Sequence, residues 1–180
     1  LPHVAGGRVG QFNHRFAQPS SQPTAGFGHI FPFADDDTTD PLMERTDGLL
    51  RRQRELGAVP KIIYTNSSAE YWRGDASLVH IDSSGRKDLD PTEETRIYHF
   101  AGTQHVGSPL PQSHEGLDGS RGRYAGNVVD YAPLLRATLI NLDRWVTDGI
   151  EPPPNRHPRL DDGTAVTRGE LLDSFEAALD

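Results

Sequence analysis

The chain reads as an α/β protein: a mostly parallel sheet with flanking helices and long irregular connections. Three stretches carry that reading. Residues 59–64 and 95–100 are short apolar runs rich in β-branched and aromatic side chains, each too brief for a helix and each ending at a polar loop. Residues 131–147 follow with helical periodicity: Tyr131, Leu134, Leu135, Thr138, Leu139, Leu142, Trp145 and Val146 share one stripe, and Pro133 sits where a first turn tolerates it. Strand, helix, strand, helix in succession favours parallel pairing of the two strands, with 131–147 over one face.

Each element has a local reason. Residues 1–34 are expected to be an irregular segment draped on a scaffold, because Gly6, Gly7, Gly10, Pro19, Pro23, Gly26, Gly28 and Pro32 interrupt every periodic run. Asp35-Asp36-Asp37-Thr38-Thr39-Asp40-Pro41 has the composition of a helix start, so a helix is expected from Pro41 to about Leu56, with Leu42, Leu49, Leu50 and Leu56 on one side and Gly57 as its stop. The run 59–64 is a buried strand, and 69–80 is a short helix whose Tyr71 and Trp72 either line a pocket or pack inside. Residues 82–91 form a polar turn around Ser84-Gly85, 95–100 the second strand, and 106–127 a Gly-, Pro- and Ser-rich excursion. After 131–147, Glu151-Pro152-Pro153-Pro154 opens a polyproline-like tail that becomes polar. The expected organisation is one domain with an irregular segment (1–34), a helix-strand-helix-strand-helix unit (35–150) and a tail (151–180).

Composition excludes several classes of function. The net charge is −8 and no Lys/Arg cluster exceeds Arg51-Arg52, so a phosphate-tracking nucleic-acid surface is not expected. No apolar stretch is long enough to span a bilayer, and the first residues lack the basic-then-apolar pattern of a signal peptide. With no cysteine there is neither a disulfide framework nor a thiolate metal site. The eight histidines include no His-x-His and no His-Glu-x-x-His, so no metal is expected. No cofactor is expected either: Gly6-Gly7-Arg8-Val9-Gly10 lacks the preceding strand and the following Lys-Ser/Thr of a phosphate-cradling loop. Only 34% of residues are hydrophobic, with 18 Gly and 14 Pro, which is loop-rich for a self-sufficient globule.

The chemistry sits in the two loops. The loop after the first strand offers a carboxylate, Glu70, and the loop after the second offers an imidazole, His105, just beyond Gly102, which lets the chain turn sharply. Loops at the C-terminal ends of neighbouring parallel strands converge on a crevice, where an acid can orient a base. Asp75 and Asp82 lie on the same segment as Glu70 and stay open as the acid. His99, inside the strand, reads as a packing residue.

The runs Pro60-Lys61-Ile62-Ile63-Tyr64-Thr65-Asn66-Ser67-Ser68-Ala69-Glu70-Tyr71-Trp72, Asp75-Ala76-Ser77-Leu78-Val79-His80 and Arg96-Ile97-Tyr98-His99-Phe100-Ala101-Gly102-Thr103-Gln104-His105 resemble a family of bacterial α/β-hydrolase-domain proteins of poorly defined substrate. The opening, Pro2-His3-Val4-Ala5-Gly6-Gly7-Arg8-Val9-Gly10-Gln11-Phe12-Asn13-His14-Arg15-Phe16-Ala17-Gln18-Pro19, resembles the segment after that family's nucleophile helix, so the resemblance spans nearly the whole chain. It implies the C-terminal half of an α/β-hydrolase fold and a triad in the order Ser, Asp/Glu, His, with Glu70 and His105 as the last two members. No Gly-x-Ser-x-Gly turn occurs in the 180 residues, so the serine is expected upstream or on a companion chain.

A serine hydroxyl is a weak nucleophile until a neutral imidazole takes its proton, and a carboxylate must hold that imidazole. The resulting expectation is a serine-type carboxylic-ester hydrolase acting on a small-molecule ester through an acyl-enzyme. The alternative is a non-catalytic truncated or assembly module, with a metallohydrolase behind both. Lacking the first strands of its sheet, the chain is expected to need the missing N-terminal half, a companion chain or a second copy.

Overall fold

A computed structural model of the chain describes residues 1–3, 31–74, 76–116 and 119–178. In order, the elements are β1 (Thr38–Asp40), β2 (Arg45–Asp47), α1 (Arg51–Glu55), β3 (Ile62–Ser67), α2 (Ser68–Trp72), a 3-10 turn (Ala76–Val79), β4 (Thr95–Phe100), α3 (Ala132–Thr147) and α4 (Arg168–Ala177).

The scaffold is the β3–β4 pair. The two strands run parallel, from Ile62 opposite Thr95 to Ser67 opposite Phe100, because α2 and the 3-10 turn form the crossover between them. Single-residue parallel bridges extend this pair on both sides, His3 with Thr65 and Arg156 with Tyr98. The bonds are Thr65 N to Pro2 O at 3.1 Å on one edge, and His99 N to Arg156 O at 2.7 Å with Arg156 N to Ile97 O at 2.9 Å on the other. His3 is therefore sheet-paired rather than draped. Residues 4–30 of the expected irregular segment, including Gly6-Gly7-Arg8-Val9-Gly10, lie outside the described residues.

Paired residues of a parallel ladder share a face, and alternation divides the core accordingly. Tyr64 and Ile97 pack with Val79 and Ile62 on one face. On the other, α3 lies against the sheet through buried Trp145 and Thr138, with Lys61 Nζ 4.7 Å and the Arg96 guanidinium 4.8 Å from the Trp145 ring centre. At the N-terminal ends of the strands, buried Asp35 accepts hydrogen bonds from Tyr64 Oη and Thr95 Oγ1, both at 2.6 Å. That carboxylate staples both strands to the segment before β1.

Five expectations are corrected. The helix expected from Pro41 to Leu56 is a β1–β2 hairpin followed only by the five-residue α1. Asp and Thr here bond locally instead of starting a helix: Asp40 Oδ1 accepts from Leu42 N at 2.8 Å, the Thr39 and Thr46 hydroxyls meet at 2.8 Å, and Glu44 takes φ 50° to reverse the chain. A Cβ at Gly48 would stand 2.7 Å from the Asp36 carbonyl carbon, so that close approach requires glycine. Leu42, 93% exposed, shows that the supposed helical stripe faces no core.

The first strand runs Ile62–Ser67 rather than 59–64, its polar end Thr65-Asn66-Ser67 wholly buried. The expected helix 69–80 divides into α2 and the 3-10 turn, with Gly74 at φ 81° between them. The tail carries α4, opened by a capping box in which Thr167 and Glu170 satisfy each other's backbone amides. On α3 the stripe is narrower than expected: Leu134, Leu139 and Val146 turn away from the sheet and are exposed. No helix among the described residues is long and apolar enough to cross a membrane.

Candidate acid–base site

β3 runs straight into α2, and that junction builds the acid. Ser67 caps α2 with extended backbone, and Glu70, in the third helical position, folds back on it as the second half of a capping box. Glu70 Oε2 accepts from Ser67 N at 2.7 Å and Ser67 Oγ at 2.6 Å. Its Oε1 accepts from His105 Nδ1 at 2.8 Å and from Arg73 Nη2 at 3.4 Å. The side chain is 1% exposed. Burial opposes ionisation, but the hydrogen bonds from the Ser67 hydroxyl, His105 and the Ser67 amide outweigh it and hold the carboxyl below its usual range. Glu70 is an anion at neutral pH.

The loop that brings His105 to it is tied down on both flanks. Past Phe100 the chain turns at Gly102, φ 73°, whose amide donates to Ser68 Oγ at 3.0 Å and whose carbonyl accepts from Asn127 Nδ2 at 2.6 Å. Thr103 O accepts from Ser68 N at 3.1 Å, and Gln104 Nε2 donates to Asn127 O at 2.7 Å. The His105 side chain is 49% exposed, and among the described residues its Nε2 has no hydrogen-bond partner. Beside it runs an open groove of ≈ 390 Å³ with Val106, Val129, Tyr131 and Leu135 in its walls. One imidazole nitrogen is held by a buried anion and the other faces outward, which is the arrangement of a base whose tautomer is set from behind.

The other expected residues lie elsewhere. Asp82 turns into its own loop, where it accepts from the Ser84 hydroxyl and from Arg86 N and Lys87 N, both at 2.8 Å; it is not the partner of His105. Asp75 lies outside the described residues. His99 packs as expected: its ring centre is 4.5 Å from that of Tyr71, and its Nε2 is hydrogen-bonded with Ser68 Oγ at 3.0 Å. Tyr71 Oη bonds the fully buried His80 at 2.9 Å, and burial, with His157 alongside, pushes His80 down to about 3. Among the described residues no group of three His, Cys, Asp or Glu side chains is arranged to hold a metal ion.

Three contributors escape sequence reasoning. Ser67 carries a readable signal, since Ser-x-x-Glu is the capping-box pattern. His3 and Tyr131 carry none. Tyr131 Oη donates to the main-chain carbonyl of His105 at 2.7 Å, and His3 Nε2 lies 3.3 Å from the same hydroxyl.

A parallel strand pair crossed over by helix, with polar loops meeting at the C-terminal strand ends, is a unit of the α/β class. The chain belongs to the α/β-hydrolase domain family, whose model matches residues 1–175. Comparison with curated proteins and with solved structures finds no match.

Proposed function

We propose that this chain supplies the acid and the general base of a serine-type carboxylic-ester hydrolase. The observation that carries the proposal is the 2.8 Å contact between His105 Nδ1 and the buried Glu70 carboxylate, with Nε2 left for a nucleophile. His105 Nε2 takes the serine proton as the oxygen attacks the ester carbonyl, and Glu70 stabilises the imidazolium that forms. The imidazolium returns the proton to the departing alcohol, leaving an acyl-serine. Water, deprotonated by the same nitrogen, then releases the carboxylic acid and restores the serine. The apolar walls of the adjoining groove suit the hydrocarbon part of a small ester. The serine comes from outside these 180 residues, since no Gly-x-Ser-x-Gly lies within them, and a preceding half or a companion chain carries it.

That same missing motif favours a second reading, a non-catalytic assembly module. Labelling the whole protein with a fluorophosphonate probe, followed by hydrolysis of p-nitrophenyl esters, separates the two. A labelled serine and activity that His105→Ala lowers on the order of a thousandfold support the enzyme. No labelling and no hydrolysis support the module. Unchanged esterase activity in His105→Ala removes His105 from the mechanism.

A further inference from the structure

The main chain of His105 sits in an exposed loop, yet its carbonyl is fastened to an element far away in sequence. Tyr131 Oη, at the start of α3, donates to His105 O at 2.7 Å. Behind that hydroxyl stands His3, whose Nε2 is 3.3 Å from Tyr131 Oη and whose Nδ1 is 2.9 Å from Thr65 Oγ1. One tautomer satisfies the whole chain of contacts. With the proton on Nε2, His3 donates to the Tyr131 oxygen and takes at Nδ1 the Thr65 hydroxyl proton, whose other acceptor, Pro2 O, stands farther off at 3.4 Å, so hydrogen bonds run in one direction from β3 to the carbonyl of the base. The rings pack as well, with His3 and Tyr131 centres 5.3 Å apart and Phe100 and Tyr131 centres 5.9 Å apart.

We infer that Tyr131, backed by His3 and Thr65, is a positioning residue that sets the reach of His105 to Glu70. The inference rests on the role proposed above for His105. Fixing the carbonyl of the base fixes its Cα, and with it the 2.8 Å contact on which orientation and tautomer depend. The relay also suits the charge that develops in turnover. Burial, joined by the charge of His105 and opposed by Glu70, pushes His3 below its usual range, so a neutral His3 adds no repulsion to the imidazolium.

Tyr131→Phe isolates the effect. Capping of α3 by Tyr131 uses its carbonyl, which accepts from Leu134 N at 3.0 Å and Leu135 N at 3.1 Å, and makes no side-chain capping bond. Phenylalanine therefore keeps the cap and the ring packing and loses only the hydroxyl. In the whole protein, Tyr131→Phe should lower kcat about five- to tenfold, as expected for one lost hydrogen bond at a catalytic group, and by more than it changes KM, since the ring that lines the groove is kept. The downfield proton resonance of the His105 Nδ1–H bonded to carboxylate, assigned by its loss in Glu70→Gln, should broaden away in Tyr131→Phe while the circular dichroism of α3 persists.

His3→Phe, which leaves α3 untouched, should act in the same direction by about two- to threefold and serves as the second arm if Tyr131→Phe folds poorly. A resonance present in wild type, absent in Glu70→Gln, and retained with full kcat in Tyr131→Phe and His3→Phe overturns the positioning role alone. A wild-type spectrum with no resonance that depends on Glu70 overturns the acid–base pair itself.

Discussion

Two buried carboxylates sit at opposite ends of the same strand pair, and they differ in what they hold. Asp35, 6% exposed at the N-terminal end, accepts from the Tyr64 and Thr95 hydroxyls, neutral donors closed off from solvent. Glu70, 1% exposed at the C-terminal end, accepts from the Ser67 hydroxyl and amide but also from an imidazole that is half in solvent. Both are buried, so burial does not separate a staple from a site. What separates them is a titratable donor that reaches from the anion to an open groove, because only such a donor passes a proton to a ligand.

The largest expected contrast comes from deleting each carboxylate's principal partner or the carboxylate itself. In the whole protein, His105→Ala should remove ester hydrolysis on the order of a thousandfold with little change in melting temperature, since a half-exposed loop imidazole contributes little packing. Asp35→Ala should do the reverse, costing about 3 kcal/mol in denaturant unfolding by leaving two buried hydroxyls unpaired, with kcat of the folded fraction intact. If Asp35→Ala instead abolishes turnover at unchanged stability, the division between staple and site is wrong.

Glu70→Gln comes next, with turnover lower on the order of a hundredfold, less than for His105→Ala because the base survives in a poorer orientation and tautomer. Equal rates for Glu70→Gln and wild type would mean that the 2.8 Å contact orients nothing.

The two ends should also respond to opposite ends of the pH scale. Glu70 has its carboxyl lowered from 4.5 in the fold, so its contribution to stability is present above pH 4.5 and is lost as pH falls through the lower folded value. Tyr64 has its hydroxyl raised from 10.0 by burial and by Asp35, so its contribution is complete below pH 10.0 and declines as pH rises above it. Thermal unfolding across pH should show acid loss blunted by Glu70→Gln and alkaline loss blunted by Tyr64→Phe. Identical acid limbs in wild type and Glu70→Gln would contradict the first half.

The smallest contrast removes one neutral hydroxyl from each carboxylate. Thr95→Val should cost about 1 kcal/mol and leave kcat alone, while Ser67→Ala should cost a similar amount through its capping role and lower kcat about threefold. Equal kinetic effects of the two would erase the distinction between the ends.

Local pattern made parts of this molecule legible. The run 95–100 is β4 as read, and 131–147 overlaps α3 within one residue, because strong β-branched or helical periodicity survives any packing. Glu70 and His105 are legible as polar residues just past two buried strands, and so is Glu70 as the first choice to orient His105, with Asp75 and Asp82 left open beside it. Other parts misled. The Asp/Thr-rich stretch 35–47 resembles a helix start, yet its side chains bond their own backbone and the chain pairs as a hairpin. Thr167 and Glu170 spell the cap of the tail helix α4, but the prolines before it mask that pattern.

The sequence by itself determined the α/β class, the parallel order of β3 and β4, and an acid followed by a base at successive strand ends. Those features depend only on the period of side chains along one segment and on the length of the crossover between segments. The tertiary structure alone decided that Glu70 rather than Asp82 meets His105, that Asp35 staples the far end, and that His3 and Tyr131 stand behind the base. Each of those contacts joins groups on different elements, and hydrogen bonds close over little more than 3 Å. Periodicity says which face a side chain takes. Which partner it finds there is set by strand register and by the packing of α3, and no local pattern encodes either.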